Sequence, residues 1–304
     1  MPELRRLELL VELQRRGTLS AVASALSYST SAVSQQLAQL ENDIGAELLV
    51  PDGRRVKLTP QATILAAHAE VMLDRWEQAR SDVADSLGQT TGPLAVAAFQ
   101  TATAALMPPL LAWLAEEHPG VDVNLSQHEP ETAVPGVLAR EFDLAIAEWY
   151  PGQLPPRAAG LHQSTLMADP MSLAVPAGKG STRTSVHDWA DSPWILEPKG
   201  SPAHTWAVAI CREAGFEPRV AYETPDVRIQ EQFVARGLAV ALLPDLMWFE
   251  SGPRVSLHPL GPDQTRTIYT VVRSGSEHHP VITAVRDGLA RSAGAFTRSR
   301  RGQR

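Results

Sequence analysis

The sequence predicts an α/β protein with a helix-rich N-terminal domain, and three observations support this fold class. Residues 19–58 have apolar residues at helical spacing, interrupted by a polar break, and end in a short hairpin pattern. Residues 60–88 begin with Pro, end with Gly and contain neither in between, which is typical of one long helix. From residue 93 onward, strand and helix patterns alternate, as they do in α/β domains.

The first of these segments is predicted to form a helix-turn-helix. Its first helix, residues 20–26, consists of small and apolar residues that can pack closely beneath a second helix. The polar segment Ser27-Tyr28-Ser29 ends that helix, and Ser29 or Thr30 can cap the next one through a hydroxyl group. The second helix has inward-facing apolar residues at helical spacing, namely Val33, Leu37 and Leu40.

The outward face of the second helix has short or flexible hydrogen-bonding side chains near its N-terminus: Thr30, Ser31, Ser34 and Gln35. The free N–H groups of a helix N-terminus favour a phosphate, and Gln can pair with adenine through two hydrogen bonds. This set is therefore the predicted recognition surface for double-stranded DNA.

A hairpin pattern follows the second helix and extends this surface. Leu48 and Leu49 indicate a strand, and Asp52-Gly53 is a hairpin turn signal. Three basic residues lie where DNA phosphates would pass: Arg54, Arg55 and Lys57. Each piece alone is also compatible with a solvated helix face or a solvated hairpin. Their joint order favours a winged helix-turn-helix.

The charge balance limits how such a domain can hold DNA. Residues 1–58 contain seven basic and seven acidic residues, so this segment is formally neutral, and the whole chain has a net charge of −7. This balance argues against a general polycation binder. Binding must therefore depend on local placement and on more than one copy of the domain.

The long helix predicted over residues 60–88 offers a means of pairing two copies. Its apolar or small residues recur at gaps of 4, 3, 4, 3 and 4, at Leu65, Ala69, Met72, Trp76, Ala79 and Val83. This heptad pattern favours a partner helix, although an amphipathic helix packed on its own domain is an alternative interpretation. A two-fold homodimer, or a homotetramer built from it, would read a roughly palindromic DNA site.

The remainder is predicted to form two α/β lobes around a parallel sheet. The predicted domains are a DNA-binding domain at 1–59, a dimerisation helix at 60–88, a hinge at 89–92 and a ligand domain at 93–296. Lobe I is assigned to about 93–162 and 267–296, lobe II to about 163–266, and 297–304 to a disordered basic tail. One helix is expected over residues 103–117.

In such folds a ligand lies between the lobes, where loops leave the carboxyl ends of the strands. From lobe I, the candidates are Gln100, Thr101 and Ala102 after the first strand, and His128, Glu148 and Trp149 at the ends of two others. Across the cleft, the candidates are Gly200, Ser201, His204 and Thr224. For Thr101, Ser201 and Thr224 an ordinary helix N-cap is an equally good interpretation, and the histidines are more often structural.

Other classes of protein find little support in the sequence. No His, Cys, Asp or Glu spacing matches a metal site, no nucleophile or phosphate-loop motif occurs, and we expect no cofactor and no enzyme activity. Cys211 is alone and is expected to be a buried, inert thiol. The N-terminus lacks an export signal and the longest apolar run, 104–115, contains two prolines, so we expect a cytoplasmic protein without membrane contact.

Several motifs of the N-terminal segment together resemble the LysR-type transcriptional regulators. They are Gly17-Thr18-Leu19-Ser20-Ala21-Val22-Ala23-Ser24-Ala25-Leu26, Ser31-Ala32-Val33-Ser34-Gln35-Gln36-Leu37, Leu40-Glu41 and Gly53-Arg54-Arg55-Val56-Lys57-Leu58-Thr59. The resemblance implies a winged helix-turn-helix, a linker helix and a periplasmic-binding-protein-like (type 2) effector domain with a small-molecule effector between its lobes. Gln35 and Pro51 stand where this family usually has basic residues, which weakens phosphate attraction.

Two hypotheses about function follow. In the first, the chain is a LysR-type regulator that binds a palindromic promoter site as a dimer or tetramer and responds to an effector in the cleft. In the second, it is a solute-binding or catalytic α/β protein whose N-terminal domain serves only assembly. The second hypothesis gives residues 19–58 no purpose.

Overall fold

The N-terminal domain contains three helices and a two-stranded hairpin. The computed structural model describes residues 2–26, 28–53, 55–88, 90–153, 158, 160–178, 182–249 and 252–302. The elements of this domain are α1 (Pro2–Arg16), α2 (Leu19–Ala25), α3 (Thr30–Ile44), β1 (Leu49–Asp52) and β2 (Arg55–Leu58). The sequence patterns did not predict α1, which buries Leu9 and Leu10 in the centre of the domain.

Local capping explains where the two helices of the helix-turn-helix begin and end. The Thr18 hydroxyl accepts a hydrogen bond from the N–H of Ala21 at the start of α2, and Ser29 accepts one from Ala32 at the start of α3. Gly45 ends α3 with a φ of 70°, a conformation that favours glycine. The predicted inward residues Val33, Leu37 and Leu40 are buried, so α3 packs as its periodicity predicts.

The long helix α4 (Pro60–Ser86) continues directly from the N-terminal domain. Thr59 caps it, and the small residues Ala62, Ala66 and Ala69 are buried where it packs on the domain core. Ala69 is thus part of the domain interior rather than of a seam open to a partner, and Leu65 is half-buried there as well. The interpretation of a helix packed on its own domain therefore applies to the first half of α4, and the partner helix along the second half stays a prediction.

Lobe I begins with β3 (Gly92–Ala98), α5 (Gln100–Ala105), α6 (Met107–Glu117), β4 (Val121–Gln127), α7 (Pro130–Leu138) and β5 (Leu144–Trp149). The single helix expected over 103–117 was wrong, because α5 ends at Ala105 and α6 restarts at Met107. The prolines near the start of α6 suit a helix N-terminus, where their missing N–H costs nothing.

Lobe II and the return to lobe I follow. They comprise β6 (Leu161–Val175), a 3₁₀ turn (His187–Trp189), β7 (Pro193–Leu196), α8 (Pro202–Glu213), β8 (Arg219–Glu223), α9 (Val227–Ala235), β9 (Ala241–Pro244), a second 3₁₀ turn (Asp245–Trp248), β10 (Ser256–Pro259), β11 (Thr265–Arg273) and α10 (Pro280–Gly302). Cys211 in α8 is fully buried, and burial raises the pKa of its thiol to about 12, as expected for an inert thiol.

The expectation of a parallel sheet was wrong for half of the main sheet. β3 pairs in parallel with β4 and β5, but β11 inserts antiparallel between β5 and β6. β6 passes through both lobes: residues up to Pro170 pair with β11, and residues from Met171 pair with β9 and β10. The lobes therefore meet near 170–171 and 264–265, later in β6 than the predicted boundary at 162.

The final helix is longer than the sequence patterns predicted. α10 runs to Gly302 and packs on lobe I through Val281, Val285, Leu289 and Phe296. The prediction of a disordered tail was therefore wrong for residues 297–302. The last two residues lie outside the described part of the chain. Among the described residues, no helix is long and apolar enough to cross a membrane.

Candidate functional site

The predicted recognition residues share the outward face of α3. Thr30, Ser31, Ser34 and Gln35 are all exposed, whereas the opposite face of the helix is buried. The Ser31 hydroxyl lies 3.0 Å from that of Ser29, the capping residue. The first turn of α3 therefore presents hydroxyl groups and backbone N–H groups to solvent, an arrangement that can receive a phosphate and base edges.

The hairpin beside α3 forms the predicted wing. β1 and β2 pair antiparallel with Asp52 opposite Arg55, and Gly53 has a φ of 60° at the turn. Lys57 is exposed. Arg54 and the side chain of Arg55, both predicted phosphate contacts, lie outside the described residues.

One exposed aromatic residue of this surface was missed by sequence reasoning. Tyr28 lies in the turn between α2 and α3, and its hydroxyl accepts a hydrogen bond from Arg5 Nε at 2.9 Å. The pair places a cation and a hydroxyl beside the recognition helix. The polar break in the pattern marked the turn, but α1 and its arginine were not assigned to this face.

Strand ends from both lobes frame the cleft that was predicted to hold a ligand. Ala98 in β3 pairs with Gln127 in β4 and with Ile146 in β5, so Gln100, Glu129 and Glu148 follow at one edge of lobe I. In lobe II, the Thr224 N–H donates to the carbonyl oxygen of Leu196 at 3.0 Å, which places Glu197 and Thr224 at the facing edge.

Two hydrogen-bonded contacts join these edges and close the sides of the cleft. Gln100 Nε2 donates to Asp226 at 2.8 Å, and its Oε1 accepts from the N–H of Val227 at 3.2 Å. On the other side, Gln153 Nε2 donates to the carbonyl oxygen of Pro202 at 2.9 Å. The lobes therefore contact each other through side chains that a modest rotation would release.

Arg266, at the base of the cleft, is the centre of a buried charged cluster. Its Nε donates to Asp169 at 2.8 Å, one Nη donates to Thr101 at 2.6 Å, and the other contacts Glu148. Arg266 is 2% and Asp169 0% exposed. Sequence reasoning missed Arg266; the available signal was an arginine directly ahead of the uncharged run Thr267–Val272 within one strand.

Burial dominates the titration of the acids in this cluster. It raises the pKa of Asp169 to about 6 although Arg266 opposes this, and it raises the pKa of Glu148 in the same way. For Arg266, burial favours the neutral form, but Glu148 and Asp169 outweigh it and hold its pKa above the ordinary value. The guanidinium thus remains charged and fully engaged.

The structure also separates ligand candidates from capping residues. Ser201 caps α8 by accepting from the His204 N–H at 3.0 Å, and His204 Nδ1 lies 2.8 Å from the carbonyl oxygen of Glu197. Thr224 accepts from the Asp226 N–H, whereas Asp226 itself caps α9. Thr101 is no cap, since its hydroxyl accepts from Arg266.

The remaining candidates divide between the interior and the cleft rim. Ala102 is fully buried in the core of lobe I, so it cannot contact a ligand in this conformation. Gly200 precedes α8 with a φ of 97°. His128 packs on the ring of Phe142 with centroids 5.1 Å apart, and half-buried Trp149 packs on Tyr269 at 4.6 Å.

The N-terminal domain docks on lobe I through ion pairs at the far end of α7. Arg140, just beyond this helix, contacts Glu8 of α1 at 2.9 Å and also Glu77 of α4. Arg16 pairs with Glu141 at 3.2 Å. Nearby, Gly275 approaches α4 so closely that a Cβ there would lie 2.4 Å from the carbonyl oxygen of Asp74.

The geometry defines a DNA-reading head joined by a helix to a two-lobed ligand domain, a class of regulator that couples small-molecule binding to transcription. The family model "Bacterial regulatory helix-turn-helix protein, lysR family" matches residues 4–63, and "LysR substrate binding domain" matches residues 87–294. The chain belongs to the LysR family of DNA-binding transcriptional regulators. The alternative of a solute-binding or catalytic protein is accordingly set aside.

Known proteins agree with this assignment along nearly the whole chain. The transcriptional dual regulator GltC of Bacillus subtilis is 27% identical over 84% of this chain and 85% of its own. A full-length OxyR point variant from Pseudomonas aeruginosa has a TM-score of 0.64 and 20% identity, covering 95% of this chain and 98% of its own. A structure of full-length CbnR complexed with its target DNA has a TM-score of 0.53 and 22% identity, covering 96% of this chain and 99% of its own.

Proposed function

We propose that this regulator binds a two-fold symmetric promoter site in the cytoplasm as a dimer or tetramer, and that a small-molecule effector in the interlobe cleft controls this binding. The observation that carries the proposal is the division of α3 into a buried apolar face and an exposed hydrogen-bonding face. Such a helix, beside an exposed wing lysine, fits the major groove.

The second half of α4 supports pairing of two chains. Met72, Trp76 and Val83 of the heptad pattern lie on this part of the helix, and each is between 38% and 60% exposed. Large apolar side chains at heptad spacing are poorly placed in water and well placed against a second α4. Two reading heads joined in this way would compensate for the neutral charge of each.

A footprinting experiment on the DNA flanking the coding sequence tests the proposal. We expect a protected, roughly palindromic site at low and moderate salt. Gln35→Ala should weaken binding to that site about 10- to 100-fold and relax base preference, because a side chain that pairs with a base edge contributes roughly 1–3 kcal/mol.

Lys57→Ala and Lys199→Ala form a matched pair, since each removes one exposed positive charge. Lys57→Ala should reduce the slope of log K against log salt by about one, whereas Lys199→Ala in lobe II should leave it unchanged. Absence of any protected site, or equal effects of the two lysine variants, would contradict the proposed surface.

A further inference from the structure

Among the described residues, the strand ends at the cleft carry more acidic groups than Arg266 pairs with. Glu129 and Glu148 stand at the lobe I edge and Glu197 at the lobe II edge, with Asp169 at the base. Arg266 is the buried cation in contact with Glu148 and Asp169. These strand ends are the positions where a ligand is contacted in two-lobed α/β domains.

Among the described residues, Glu129 and Glu197 form no direct ion pair, and the charge of Arg266 only partly offsets the rise in the pKa of each. Glu129 occupies the N-cap position of α7 but makes no capping hydrogen bond, so helix capping does not account for it. The hydrogen-bonding partner of the Glu197 carboxylate is the neutral hydroxyl of Ser201. One carboxylate from each lobe is thus available to a molecule between them.

The guanidinium that could have received an anion is already saturated. Arg266 donates to Asp169 and Thr101 and contacts Glu148, so all three of its nitrogen atoms are engaged within the protein. A carboxylate ligand in the cleft would meet Glu129 and Glu197 without a free cation to balance it. Repulsion between these like charges would disfavour binding of the carboxylate.

An unpaired buried hydroxyl lies on β11, beside the strand that carries Glu148. Tyr269 is 0% exposed, packs against Trp149, and its hydroxyl has no hydrogen-bond partner among the described residues. Burial, followed by the charges of Glu148 and Glu131, raises the pKa of this phenol to about 12. A buried polar group left unpaired costs free energy that a ligand or water can recover.

The acids also disfavour one another in the absence of a ligand. Desolvation by surrounding protein atoms, followed by the charge of Glu148, raises the pKa of both Glu129 and Glu197 to about 7. A bound positive charge would replace this repulsion by attraction, and it would do so between groups on opposite lobes.

We propose that the effector is a small organic cation whose ammonium or guanidinium group is held between Glu129 of lobe I and Glu197 of lobe II. Binding draws the two lobes together, because the ligand is attracted to both edges. This inference rests on the proposed function of the cleft as the effector site.

Thermal melting of the full chain at pH 8 tests the inference, with 1,4-diaminobutane and agmatine as probes and succinate as the matched dianion, all at equal ionic strength. We expect either cation at about 10 mM to raise the melting midpoint by at least roughly 2 °C, and succinate to leave it unchanged. The increase should be smaller at pH 6, where Glu129 and Glu197 are largely protonated.

The isosteric double variant Glu129→Gln and Glu197→Gln should abolish the increase, while Glu213→Gln, an exposed acid of α8 outside this edge, should retain it. Circular dichroism of each variant verifies its fold. The inference is overturned if succinate stabilises instead, if neither cation stabilises, or if the double variant responds like the wild type. None of these results affects the footprint, which tests the regulator function separately.

Discussion

Glu197 shows how a residue of a ligand site can oppose the stability of the fold. Its pKa of about 7 lies above the ordinary value of 4.5, mainly because of desolvation and then because of Glu148. Between these two values the native state binds more protons than the unfolded state. The free energy of unfolding therefore falls as the pH rises from about 4.5 to 7, and remains lower above that range.

We therefore predict that Glu197→Gln raises the melting midpoint of the ligand-free protein at pH 8 and has no effect at about pH 4, where the wild-type carboxyl is already protonated. Melting curves from pH 4 to 8 measure this difference. Glu213→Gln serves as the control and should change little at any pH. A lower midpoint for Glu197→Gln at pH 8 would show that its charge stabilises the fold.

For single residues, the sequence predicted local features better than contacts between residues that lie far apart along the chain. The exposed set on α3 and the buried thiol of Cys211 follow from helical periodicity, which is written in adjacent residues. Arg266 and Asp169 are 97 positions apart, and no local pattern records that they meet. Thr101 was identified by its place after a strand, but its hydrogen-bond partner Arg266 could not be identified from the sequence.

Helix α4 combines two roles along its length. Its first half buries small residues under the N-terminal domain, and its second half buries Glu77 and Ser81 against lobe I. The apolar side chains of the second half that remain exposed are free to meet a partner helix. The heptad pattern predicted this helix correctly, but periodicity alone could not assign Ala69 to the domain core.

We predict that Trp76→Asp converts the oligomer to a monomer, because a carboxylate in an apolar helix seam cannot be hydrated or paired. Light scattering of the full chain measures the mass. Trp76→Phe, which retains an aromatic side chain at this 38% exposed position, should remain oligomeric. An unchanged mass for Trp76→Asp would remove this residue from the interface.

For the whole molecule, Arg140 links the cleft to the reading head. α7 begins beside Glu129 at the cleft and ends just before Arg140, which contacts Glu8 and Glu77. Among the described residues, Arg140 is the one non-glycine residue with a positive φ, which is 60°. Glycine would adopt this conformation without strain, whereas the ion pairs with Glu8 and Glu77 offset the strain at an arginine.

We predict that Arg140→Gly frees the head from lobe I without straining the backbone. Loss of the guanidinium removes the direct ion pair of the buried Glu77 carboxylate and leaves only the charges of Arg273 and Arg80 to oppose it, at a cost on the order of 3 kcal/mol to the docked arrangement. Faster hydrogen exchange in α1 and the second half of α4, together with a larger radius of gyration in solution scattering, would report the release.

Arg212→Ala is the control for this experiment, since it removes an arginine from a fully exposed pair with Glu217. It should alter neither measurement. Unchanged exchange in Arg140→Gly would mean that the remaining contacts, the Arg16–Glu141 ion pair and the close approach of Gly275 to α4, are sufficient to hold the head in place.

The central position of β11 bears on how the chain is made. β11 lies between β5 and β6 in the main sheet, yet it occupies residues Thr265–Arg273, after all the strands of lobe II. During synthesis, the lobe I sheet must remain divided until residues 265–273 have left the ribosome. Lobe II, whose strands beyond Pro170 are contiguous in sequence, can fold first, so lobe I and the docking of the reading head on it are completed last.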